Sequence, residues 1–94
     1  MPKIAELSRE FLKAREFLVE LAAKTDISDK GQLALVRMRP EDKTQEMALD
    51  SLDWYDIFGK FEEETGQEVT DREMGAIKTG VDLVALIQKK RKNN

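Results

Sequence analysis

Asp50-Ser51-Leu52-Asp53 brings a hydroxyl nucleophile and two carboxylates together at a spacing that opens a helix. Asp50 can cap the first turn, and Asp53, three residues on, can return a bond to the Asp50 N–H, the reciprocal pairing of a capping box. Ser51 then falls on the first turn, where free backbone N–H groups and the helix dipole favour an attached phosphate. The chemistry open to it is phosphoester formation; the plain alternative is a cap and nothing more. Composition removes competitors. Without cysteine there is no disulfide, thiol nucleophile or thiolate metal site. Without histidine, a Ser-His-Asp hydrolase and most zinc sites are excluded. No metal site is expected, and the chain is not expected to be an enzyme.

The elements around the serine read as helices. Five glycines, two prolines and 37% charged residues in 94 suggest one small, helix-rich domain over 1–94 with a modest core. Ile4, Leu7, Phe11, Ala14, Leu18 and Leu21 alternate spacings of three and four, which predicts a long first helix over about 3–24. Phe17 and Val19 lie beside that stripe and are expected to widen it, the alternative being a contact to a partner. From 25 to 50 the pattern degrades, and Pro40 restrains Arg39 toward extended geometry. A long loop is expected there, with at most a short helical turn, packing Leu33, Leu35 or Val36, and Met38 over the bundle.

The second helix, over about 51–65, carries Tyr55, Phe58 and Phe61, with Leu52 and Ile57 beside them, on an apolar face. Asp53, Asp56, Glu62, Glu63 and Glu64 dominate its outside. Trp54 falls near the boundary, either as an anchor for a partner or folded back over Leu49 or Met47. Gly66 suits a C-cap. A short third helix follows over about 71–77, burying Met74 and Ile77, and a last helix over about 81–90 buries Leu83, Val84 and Leu86 or Ile87. Lys89, Lys90, Arg91 and Lys92 suit the negative end of that helix. Four bases on a chain of net charge −3 make a poor case for nucleic acid.

From Met38 to Ile87 the chain resembles the acyl carrier protein family. The resemblance rests on D-S-L-D, the E-E-E ending of the second helix, G-x-x-V-x-D-x-E from Gly66, and T-x-x-D-L-V-x-x-I from Thr79. It extends back through Met38-x-Pro40-Glu41-Asp42 and Met47-Ala48-Leu49. Such motifs in fixed register are more specific than the tetrapeptide. Two departures stand out: Ala48 where a glycine is common, and Thr44 in place of an apolar anchor.

The resemblance implies an all-α four-helix bundle of the acyl-carrier type. It implies that a phosphopantetheinyl transferase, with magnesium, attaches 4′-phosphopantetheine from coenzyme A to Ser51. Acyl groups would travel on that arm as thioesters to fatty-acid, polyketide or lipid biosynthetic enzymes. Leu52, Asp53 and Asp56 match positions that meet partners, with Asp50 and Trp54 added from their place beside Ser51, and Phe58, Phe61, Met74, Ile77 and Val84 would wall an acyl cavity. Basic partners would be oriented by the acidic helix. A monomer is expected, and a cytoplasmic one because Met1 to Glu10 holds no long apolar run, so neither leader nor membrane span. The rivals are a peptidyl or aminoacyl carrier, an unmodified helical interaction module, and a small DNA-binding domain. The aspartate before Ser51 and the acidic second helix favour the acyl class.

Overall fold

A computed structural model describes residues 9–92. Its helices are α1 (Arg9–Ala23), α2 (Asp29–Val36), α3 (Ser51–Thr65), α4 (Asp71–Gly75) and α5 (Gly80–Lys92), with a 3₁₀ turn at Thr44–Glu46. Five helices therefore replace the four expected from the sequence. Among the described residues there is no strand, only an isolated antiparallel bridge between Lys43 and Thr79. Ile4, Leu7 and the start of the expected first helix lie outside the described residues.

The extra helix is α2, inside the stretch expected to be a loop. The Ser28 hydroxyl accepts the Gly31 N–H at 3.1 Å and so satisfies a donor of its first turn. Leu35 and Met38 are fully buried, whereas Leu33 and Val36 are exposed. Two of the four expected packing residues thus do that work, with Ile27 adding a third anchor. Short helices draw most of their stability from such tertiary burial. Arg15 reaches across from α1 to donate to the Met38 carbonyl at 2.9 Å, fixing the exit from α2.

Phe11, Ala14, Leu18 and Leu21 of α1 form the buried stripe that their spacing predicts. They join Ile57 and Phe61 of α3 and Leu83 and Ile87 of α5 in one core. Burying each large apolar side chain contributes roughly 1.5–3 kcal/mol. Phe17 widens this face as expected, its ring edge-on to Phe61 at 5.9 Å, with the Arg91 guanidinium 4.3 Å above it. On α3 the inward residue is Ile57, which has no exposure; Tyr55 is 51% exposed. The face expected through Tyr55 therefore runs through Ile57, Phe58 and Phe61, and Tyr55 turns outward.

The helix ends decide where α4 and α5 sit. α3 stops at Gly66, whose φ of +76° closes its N–H onto the Glu62 carbonyl. α4 ends at Gly75, two residues earlier than expected, and buries none of its residues fully. Its first turn is boxed by Thr70 and Glu73, and the Glu73 carboxylate pairs with Lys90 of α5 at 2.9 Å. Lys90 also donates to the Glu68 carbonyl, so it binds the neighbouring segment rather than the end of its own helix. The thread before α3 is stitched to the start of α5: Gly80 N–H to the Asp42 carbonyl, Val81 N–H to the Pro40 carbonyl and Thr44 N–H to the Lys78 carbonyl, at 2.9–3.0 Å. A Cβ on Gly80 would overlap the Arg39 carbonyl oxygen, so glycine is required at this approach.

Candidate functional site

Ser51 is exposed and occupies the first position of α3. The capping box forms as the sequence predicts: Asp53 N–H donates to Asp50 Oδ1 at 2.9 Å, and Asp50 N–H to Asp53 Oδ2 at 3.1 Å. This pairing holds both carboxylates toward the backbone and fixes the turn that presents the hydroxyl. Carboxylates at this end of a helix sit favourably in its dipole.

Beside the hydroxyl opens a cleft of about 270 Å³ between α3, α4 and the 3₁₀ turn. Ser51, Trp54, Tyr55 and Phe58 line it from α3, Asp71, Met74 and Gly75 from α4, and Thr44 and Ile77 from the connections. Trp54 is half-buried and stacks on Phe58, with centroids 6.0 Å apart and planes 23° apart. It is therefore not bare, and the contact that covers it runs along its own helix to Phe58. Thr44 is buried, and its hydroxyl donates to the Ile77 and Lys78 carbonyls, both at 3.4 Å.

The expected cavity residues divide. Phe58, Met74 and Ile77 line the cleft, whereas Phe61 and Val84 are buried in the core and do not. Thr44, Tyr55 and Asp71 line it without having been singled out for that role. The only hint for Thr44 was its standing where an apolar anchor was expected. Leu52 is 72% exposed, and Asp50 and Asp56 are exposed beside it, on the outer surface of α3. Farther along that helix Glu63 pairs with Lys60 at 3.0 Å and Glu64 pairs with Lys24, just past the end of α1. Both carboxylates are thereby partly compensated.

The α4 wall is set by electrostatics as much as by packing. Glu73 accepts the Thr70 N–H at 2.9 Å and meets Lys90, and together these hold its pKa below the ordinary 4.5. Among the described residues no group of three or more His, Cys, Asp or Glu is placed to hold a metal ion. None of their helices is long and apolar enough to cross a membrane. Comparison with family models, curated proteins and solved structures gave no match.

Proposed function

We propose that this chain is an acyl carrier, modified by 4′-phosphopantetheine on Ser51. The observation that carries the reading is the exposed Ser51 hydroxyl on the rim of an apolar cleft, at the boxed start of an acidic helix. The residues fit the group. The first turn of α3 leaves N–H groups unpaired near the hydroxyl, and these favour a phosphodiester. The cleft is adjacent, so an arm rooted at Ser51 can return its far end to the protein.

In the loading step Ser51 Oγ bonds to the β-phosphorus of coenzyme A while that phosphorus loses its bridging oxygen. Adenosine 3′,5′-bisphosphate leaves with the bonding pair, and the serine proton passes to a base of the transferase. When bound, the arm supplies a thiol that carries acyl groups as thioesters. The chain itself contributes position: Asp50 and Asp53 hold the turn, and Leu52 and Asp56 face outward for docking. Its partners are a phosphopantetheinyl transferase and acyl-processing enzymes with basic surfaces, met in the cytoplasm by a monomeric carrier that is not itself an enzyme. Charge complementarity of this kind speeds encounter more than it tightens binding, which suits a carrier that must leave each partner.

Incubation with coenzyme A, magnesium and a transferase should add about 340 Da to the intact mass, one arm esterified to a single serine. Ser51→Ala should abolish the gain with the helical circular dichroism unchanged. A label on Ser8 or Ser28, or no gain at all, would overturn the reading.

A further inference from the structure

We infer that the cleft beside Ser51 takes short, flat, uncharged acyl groups, a single aromatic ring or an unsaturated chain of up to about eight carbons, and excludes long saturated chains. The inference rests on the carrier reading of Ser51. Trp54, Phe58 and Met74 are the residues to which the structure assigns this selection.

Size is the first argument. The cleft measures about 270 Å³. An apolar cavity of about 150 Å³ holds benzene, so one ring fits with room for the end of the arm. On that same scale, about 25 Å³ of cavity per carbon, eight carbons need about 200 Å³ and sixteen about 400 Å³. The core offers no extension, because Phe61 and Val84 are buried and do not line the cleft.

Shape and charge narrow the choice. Trp54 and Phe58 lie nearly parallel, at 23°, and Tyr55 and the Met74 thioether complete a lining rich in π faces and sulfur. Such walls reward a planar, polarizable guest. Asp71 also lines the cleft, and Asp50 and Asp53 flank Ser51. An acyl group ending in a carboxylate would meet like charge on entering. Widening the cleft means moving α4, and the Lys90–Glu73 pair at 2.9 Å resists that.

The test uses the full chain, loaded by a transferase with coenzyme A or with benzoyl-, hex-2-enoyl- or palmitoyl-coenzyme A. Intact mass is read first, then iodide quenching of Trp54, the chain's one tryptophan. The benzoyl and hexenoyl forms should show a several-fold loss of quenching relative to the unacylated arm, and the palmitoyl form little change. Mass gain with equal quenching in all forms, or strongest protection by palmitate, overturns the inference alone. No mass gain overturns the carrier reading and the inference with it. In Met74→Ala, which shortens one wall, the palmitoyl form should gain protection. An unchanged order of protection there overturns the assignment of the limit to this wall.

Discussion

Trp54 is partly buried and stacks on Phe58, so it belongs partly to the fold. Full truncation of a buried aromatic costs 3–5 kcal/mol, so Trp54→Ala should cost about 2 kcal/mol in urea unfolding. A loss below about 0.5 kcal/mol would mean that the indole packs on nothing. Thr44→Val should be nearly neutral, within about 1 kcal/mol, because both hydroxyl bonds are long and the Lys78 carbonyl keeps the Thr44 N–H. These residues also mark how far the sequence could be read. The Asp50–Asp53 box was legible because capping is local chemistry. The inward turn of Ile57 in place of Tyr55 was not: both lie near one stripe, and only the neighbours across the core decide which is covered. Thr44 read as a missing anchor because the two carbonyls that accept from it are 33 and 34 residues away in sequence.

Two glycines at helical positions make opposite predictions for their elements. Nothing lies within 4 Å of a Cβ on Gly59, in the middle of α3, so Gly59→Ala should stabilise by about 0.5–1 kcal/mol. Gly80→Ala would drive a methyl into the Arg39 carbonyl and should destabilise by about 3 kcal/mol, as backbone overpacking does. Matched urea denaturations test both. The short α4 is held by the Thr70–Glu73 box and by one charge pair, Glu73 with Lys90. Because the Glu73 pKa is lowered, its stabilisation is complete above the ordinary 4.5 and is lost as pH falls through the lowered value. Amide protection in residues 71–76, taken relative to the intrinsic exchange rate at each pH, should fall on acidification below 4.5, more than in α3. Lys90→Met should shrink that difference; an equal response in both proteins would remove Lys90 from the clamp. The clamp was invisible in the sequence, where Lys90 is one of four consecutive bases. The two-turn α2 was invisible for another reason. Its apolar residues, Leu33, Leu35 and Val36, have no helical period, and its burial comes from α1 and from Leu49, whose side chain presses on Gly31.

The whole molecule is electrically lopsided. Between Glu41 and Gly75 twelve acids face three bases, whereas the rest of the chain holds thirteen bases and seven acids. Partners with basic surfaces should therefore be drawn to the half that carries Ser51, with an attraction that salt weakens. Asp56→Lys tests this without touching the cap. Modification by the transferase should slow mainly in association, the defect should shrink at high salt, and stability should move by less than about 1 kcal/mol. A salt-independent defect would assign docking to Leu52 and other apolar contacts. The same half of the molecule is also tied off at its base. The Thr44 N–H meets the Lys78 carbonyl, so the serine, both cleft helices and their connection form one closed loop of backbone. Closure entropy grows only logarithmically with loop length, so residues inserted near Gln67 or Glu68 should add little to the cost of folding. A proteolytic nick there would leave two fragments still held by α1, α5 and the stitch. A cut between Arg39 and Thr44 would instead free the covalent tether on one side of the loop, and the cleft would lose its anchoring before the core lost its packing.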